Sequence, residues 1–331
     1  MMMRNDEGWM SNKNGNNLPH YTSFIKIEYL ERRKQSLTIH TTMKHVPNLL
    51  FCLGLFLFFT VGESIAQEFF PKKPGVQAYT YRFSFEKDVE ATLDTIQKLG
   101  FTEMECGLSP YDLSTEEFKK MLDERGISSP SVGVGYDELV SDPEEVARKA
   151  KIMGATYVMT AWIPHEGDDF TIENAKKAVE DFNKAGKVLK ENGLTFCYHN
   201  HGYEFRPYED GTLFDYIAEN TNPEYVSFEM DILWAYLPGA DPAALLEKYG
   251  DRWKLMHLKD LKKGVESNNT GHTPIENNVV LGTGQLDMPA ILKAAKEAGV
   301  AHYFIEDESP QVAEQVPESL VYLKSLEDSS N

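Results

Sequence analysis

AKKAVEDFNKAGKVLKENGLTFCYHNH, residues 175–201, holds one complete helix-to-strand unit, and the fold reads outward from it. Ala175, Val179, Phe182 and Leu189 fall at spacings of three, four or seven, which puts one apolar stripe on a helix. Gly193 closes that helix, because glycine adopts a left-handed cap at little cost. Leu194–His201 then reads as a strand, and its period of two puts Cys197, His199 and His201 on one face. The pattern recurs along residues 76–328. The strand candidates are Val76–Phe83, Phe101–Gly107, Ile127–Val134, Thr156–Ile163, Leu194–His201, Tyr225–Asp231, Trp253–Lys259 and Ala301–Glu306. Val89, Leu93, Ile96 and Leu99 mark the first helical stripe, and Gly100, Gly126, Gly154 and Gly299 repeat the stop before a strand. Ser114 with Glu117 forms a capping box, and Asp142-Pro143 offers an N-cap followed by proline at the first helical position. Eight such units in about 250 residues predict an α/β fold, a closed (β/α)8 TIM barrel. The alternative is a doubly wound open sheet. No G-x-G-x-x-G follows its first strand, and Gly282-Thr283-Gly284 comes too late to serve as its phosphate loop.

The whole chain has 331 residues, 41% hydrophobic and 26% charged, with 33 basic against 52 acidic side chains and a net charge of −19. This composition excludes a disordered or collagen-like chain, and three cysteines cannot staple a chain of this length. The acidity argues against a nucleic-acid partner, which would need a basic footprint. Residues 1–42 show no helical or strand period; they read as a disordered upstream over-extension, with Met43 as the start. Met43-Lys44-His45, the apolar run Leu49–Val61 and the small-residue site Ser64-Ile65-Ala66 read as a secretory signal over residues 43–66. The run is too short for the ~20 residues of a spanning helix. The expected mature chain is therefore residues 67–331, a single barrel-sized catalytic domain, exported to the periplasm or beyond the cell, with no stable membrane anchor. Cys106 and Cys197 fall in separate strands and are expected to be buried thiols rather than a bridge.

A barrel of this kind carries its chemistry at the carboxyl ends of the strands. His199 and His201 end the fifth strand, Asp231 the sixth, His257 and Lys259 the seventh, and Glu306 the eighth; Glu103 and Glu105 share a face of the second. Singly, each histidine reads as a hydrogen-bonded structural residue and each carboxylate as a solvated rim group. Four consecutive strands ending in His, Asp, His and Glu point instead to a divalent metal, Mn, Co, Mg or Zn, in a mixed nitrogen and oxygen site. Tyr79, Tyr81, Trp162 and Trp234, also near strand ends, are candidates for an aromatic wall against a sugar ring, or for plain core.

The motifs YHNHGYEF (198–205), SFEMDILWA (227–235), MHLKD (256–260), LGTGQLDMPAI (281–291) and HYFIEDE (302–308) resemble, in order, those of the sugar phosphate isomerase/epimerase family, the xylose isomerase-like TIM barrels. The resemblance spans nearly all of residues 76–328. It implies a metal set of a strand-five ligand with Asp231, His257 and Glu306. Many members place Glu on strand five; here His199 or His201 stands there, which leaves Glu204 as the acid/base or, alternatively, as a ligand. Trp234 occupies the position where the epimerase subgroup carries His.

The implied chemistry is proton abstraction next to a carbonyl, with Lys259 hydrogen-bonded to a substrate oxygen and Glu105 among the substrate contacts. Isomerisation or epimerisation of a keto-sugar is the first expectation. Elimination from a 3-keto-glycoside is the second, and a non-catalytic sugar-binding barrel the third. An apurinic endonuclease, which shares the barrel, is disfavoured by the acidic chain. Export favours a free small carbohydrate over a sugar phosphate.

Overall fold

Eight short parallel strands close on themselves in the order in which the chain makes them. They are β1 (Gly75–Gln77), β2 (Met104–Gly107), β3 (Ser131–Gly133), β4 (Tyr157–Thr160), β5 (Thr195–His199), β6 (Val226–Asp231), β7 (Trp253–Leu258) and β8 (His302–Ile305). Gly75 and Val76 pair with Phe304 and Ile305, which closes the ring. The main helices that follow these strands are α1 (Val89–Lys98), α2 (Thr115–Asp123), α3 (Pro143–Met153), α4 (Ile172–Glu191), α5 (Leu213–Asn220), α6 (Pro242–Tyr249), α7 (Met288–Ala298) and α8 (Val312–Asp328). The computed structural model describes residues 69–328, so the expectations for residues 1–42 and for the signal segment 43–66 fall outside it. Among the described residues no helix is long and apolar enough to cross a membrane.

The punctuation expected from sequence is present. Ser114 and Glu117 form the reciprocal capping box of α2, and Asp142 caps α3 with Pro143 in its first turn. Gly154 and Gly299, at φ 73° and 81°, end α3 and α7 in the left-handed conformation. Cys106 and Cys197 are free, buried thiols.

Strand alternation sorts the side chains into two layers. In β5, Phe196 and Tyr198 face outward, each with its ring 5.1 Å from that of Phe182 on α4. Cys197, Leu255 and Phe304 form a separate apolar cluster inside the barrel. One residue pair further along each strand, the inward positions turn polar: His199 and Glu229 are partners across β5 and β6, Asp231 and His257 across β6 and β7, and Gln77 and Glu105 across β1 and β2. The apolar layer is the floor of the polar one.

The first strand departs from expectation. It stops at Gln77, whose side-chain oxygen accepts from the Tyr79 amide and caps a short 3-10 turn, Ala78–Tyr81; a helical turn, Arg82–Phe85, follows. The alternation that reads as strand through Phe83 is therefore helical there. Tyr81 and Phe85 pack inward while Tyr79 and Phe83 remain exposed.

Candidate active site

Asn200, between the two histidines of β5, extends the parallel ladder with its side chain. Its Nδ2 donates to the Asp231 carbonyl and its Oδ1 accepts from the Asp231 amide, both at 3.0 Å. This fixes the end of β6, where Asp231 also caps the short helix Ile232–Tyr236 through Oδ1, accepting from the Trp234 amide at 2.9 Å. The other oxygen, Oδ2, is free to point into the barrel. It lies 3.8 Å from His199 Nε2, 3.8 Å from His257 Nδ1 and 3.2 Å from Lys259 Nζ.

His257 is held from behind. Its Nε2 lies 2.8 Å from Glu105 Oε1, and Glu105 in turn accepts from Gln77 Nε2 at 2.7 Å and from the Ser131 hydroxyl. With Nε2–H given to Glu105, the other nitrogen, Nδ1, faces Glu306 Oε2 at 2.9 Å as well as Asp231. A lone pair aimed at two carboxylates needs a proton or a cation between them. Lys259 Nζ is likewise 2.9 Å from Glu306 and 2.6 Å from Glu308.

The balance of charge points the same way. Five carboxylates surround His257 and a single lysine: Glu105 and Glu229 lie against His257, Asp231 and Glu306 against both, and Glu308 against Lys259; all but Glu308 are buried. Burial, and then the Glu105 charge, push Glu229 up to about 8. Against the opposing effect of burial, the surrounding carboxylates, Glu229 and Glu306 foremost, hold His257 well above the ordinary imidazole range. Lys259 is also raised against burial by Asp231, Glu306 and Glu308, and Glu306 is lowered against burial by Lys259 and His257. His199 is pulled well down by burial and by the neighbouring histidine charges.

The residues fit a divalent cation. His199, Asp231 and His257 offer ligand atoms within 4.8 Å of one another, as do Glu105, Glu229 and His257. Asp231 Oδ2, His257 Nδ1 and Glu229 Oε1 are sealed from solvent without a well-formed hydrogen bond, and face only charged neighbours, Lys259 at 3.2 Å, Glu306 at 2.9 Å and His257 at 3.3 Å. Such atoms are costly to bury unless an ion completes them.

Above this cluster lies a cavity of about 570 Å³ bordered by Tyr79, Trp162, His201, Trp234, His272 and Glu308. Its volume falls within the ~300–1,000 Å³ of small-molecule sites. His201 belongs to this wall and to neither metal-capable group. Its ring stacks on Trp234 at 5.1 Å and meets Trp162 edge-on at 5.3 Å. Burial pulls His201 down to about 4, so the ring is neutral near pH 7. Gly271, at φ 75°, lets the loop carrying His272 pass against Tyr203, whose Cδ1 would lie 2.9 Å from any added Cβ.

Four residues expected to meet substrate do not border the cavity: Lys259, buried among its carboxylates, and Glu105, Glu204 and Tyr81. Glu105 stands behind His257 and does not border the cavity, because its carboxylate is taken up by His257, Gln77 and Ser131. Glu204 follows a turn at Gly202 and points to the outward-facing Tyr198, whose hydroxyl it accepts at 2.8 Å, with the His201 amide at 2.8 Å on the same oxygen. Burial pushes it up to about 7. Tyr81 is buried outside the cavity. Glu229, Gln77 and Glu308 were not anticipated. The period of two that pairs His199 with His201 also pairs Glu229 with Asp231, and would have found the first of them. The LGTG loop turns its amides onto the chain itself: those of Gly282 and Gly284 both donate to Asp260 Oδ2 at 2.9 Å.

Residues 93–326 match the family described as xylose isomerase-like TIM barrel. Over 257 residues the chain is 26% identical to an inosose dehydratase of Geobacillus thermodenitrificans, covering 68% of this chain and 84% of that enzyme. A sugar phosphate isomerase/epimerase of Parabacteroides distasonis superposes with a TM-score of 0.63 at 26% identity, over 77% of this chain and 96% of the other. The IOLI protein, solved with a zinc atom bound, shares the fold at a TM-score of 0.59 and 16% identity, over 78% and 98% of the two chains.

Proposed function

The chain belongs to the xylose isomerase-like TIM barrel family, and on that premise we propose that it takes a proton from the carbon beside the carbonyl of a free keto-sugar or keto-polyol. The observation that carries this reading is the layer of buried strand-end ligands, in which Asp231 and His257 face charged groups without a well-formed hydrogen bond, directly beneath an aromatic-walled cavity. His199, Asp231, His257 and Glu306 would hold the divalent cation, with Mn, Co, Mg and Zn all compatible with this donor set. When bound, such an ion supplies Lewis-acid stabilisation of the charge that develops on the carbonyl oxygen.

The chain's own residues do the rest. Glu105 keeps His257 in the orientation that turns Nδ1 toward the ligand set. Lys259 keeps its charge and donates to a substrate oxygen, which replaces the Glu308 contact. His201 makes no side-chain hydrogen bond among the described residues and borders the cavity, so it is the group assigned to accept the proton. Trp162 and Trp234 exclude water and offer faces to the apolar side of a sugar ring. Glu204 holds the turn after β5 and takes no direct part.

Return of the proton to the opposite face gives epimerisation, and its return to the neighbouring carbon gives isomerisation. A second reading, loss of a β-hydroxyl as water, is favoured by Trp234: an indole cannot serve as the second base of a two-base epimerase. The inosose dehydratase likeness supports the same outcome. The run Leu49–Val61 and the site Ser64-Ile65-Ala66 support export, which favours an unphosphorylated substrate. Proton NMR of the manganese-loaded protein with a panel of keto-sugars, inososes and sugar phosphates tests the assignment. Turnover of free keto compounds is expected, with the product's formula separating elimination from isomerisation. Turnover confined to phosphorylated sugars would overturn the substrate class.

A further inference from the structure

The segment Tyr79–Phe83, which leaves β1 at the mouth of the barrel, keeps two aromatic rings in water. Tyr79 and Phe83 are 51% and 50% exposed, and the other large apolar side chains found exposed, Val140 and Val321, are aliphatic and lie on helices. The two rings are not loose. The Arg82 guanidinium carbon lies 4.3 Å from the centre of the Tyr79 ring and 4.4 Å from that of Phe83, which ties them into one platform. Arg82 is itself anchored: Nη1 donates to the Tyr79 carbonyl at 3.0 Å and Nη2 to the Glu308 carbonyl at 2.9 Å. Thr80 and Phe85, both buried, hold the turn from beneath.

The platform adjoins the cavity through Tyr79, which borders it, and Arg82 donates to the carbonyl of Glu308, which borders it too. Exposed aromatic faces cost free energy in water and, beside a guanidinium with donors to spare, suit a ring with an apolar C–H face and hydroxyl edges. We propose that Tyr79, Arg82 and Phe83 form a second sugar subsite. The substrate is then a glycoside, with its keto ring in the cavity and the neighbouring ring on the platform. This rests on the carbohydrate reading above and narrows it from single rings to linked ones.

Titration calorimetry on the manganese-loaded wild type and on Phe83→Ala tests it, with cellobiose, maltose and lactose against glucose and galactose as probes. None of these need react, so the outcome is independent of whether the proton-transfer reading holds. At least one disaccharide is expected to bind about tenfold more tightly than either monosaccharide. Phe83→Ala should remove most of that advantage and leave monosaccharide affinity unchanged. Equal affinity of wild type for single and linked rings would overturn the proposal. So would a Phe83→Ala variant that keeps the preference, or sedimentation showing a dimer of this chain that the same substitution dissociates.

Discussion

Replacing Glu204 by Gln separates a structural carboxylate from a catalytic one. Glu204 is fully buried; its Oε1 accepts from the Tyr198 hydroxyl and the His201 amide, and its Oε2 is sealed without a partner. Burial raises it from 4.5 to about 7. The native state therefore holds this proton more tightly than the unfolded chain does. The stabilisation from that proton is complete below pH 4.5 and is lost as pH rises through about 7. At ~1.4 kcal/mol per unit, ionising Glu204 costs the native state about 3 kcal/mol at pH 8 and less than about 1 kcal/mol at pH 5. A glutamine keeps the acceptor for both hydrogen bonds and never ionises. Glu204→Gln should thus gain about 3 kcal/mol over wild type in urea melts at pH 8, with little gain at pH 5. Its turnover should stay within about threefold of wild type, since loss of a general acid or base costs ~10²–10⁴. A variant no more stable at pH 8 than at pH 5, with turnover down a hundredfold or more, would refute the structural role and restore Glu204 as the proton-transfer group.

Other consequences are equally open to measurement. Manganese binding should release at least one proton per site near pH 7, because His257 is held protonated by its carboxylates and must give up that proton to become a ligand. Affinity should therefore rise with pH, and the proton count follows from calorimetry in buffers of different ionisation enthalpy. Lys259→Met leaves Asp231, Glu306 and Glu308 without their cation. It should cost the metal-free protein about 3–5 kcal/mol in denaturant melts, and less when manganese is bound. Gly271→Ala forces a side chain into φ 75° and against Tyr203. A stability loss of about 1–2 kcal/mol is expected, with KM raised more than kcat is lowered.

The eight repeats were legible because each is written locally: a stripe, a glycine stop and an alternating run occupy about thirty residues. The strand-end rule then brought His199, Asp231, His257 and Glu306 to the mouth of the barrel, and the structure gathers them there. What escaped depends on contacts distant in sequence. Glu105 and His257 are 152 residues apart, and no local pattern says that one will support the other from behind. Glu204 lies away from the cavity because Gly202, at φ 98°, turns the chain after β5, so the strand period no longer applies beyond it. At the end of β1, alternation suggested a strand, but the Gln77 side chain caps a turn and sends Tyr79 and Phe83 to the surface.

Deuterium exchange reports most directly on the proposed chemistry. The manganese-loaded protein is incubated in D2O with a keto-polyol it turns over, chelated, and then reloaded. Deuterium should enter beside the carbonyl, stop entering on chelation and resume with metal. Exchange that continues unchanged in the chelated protein, or product formed with no exchange in any state, would contradict a metal-assisted proton abstraction at this site.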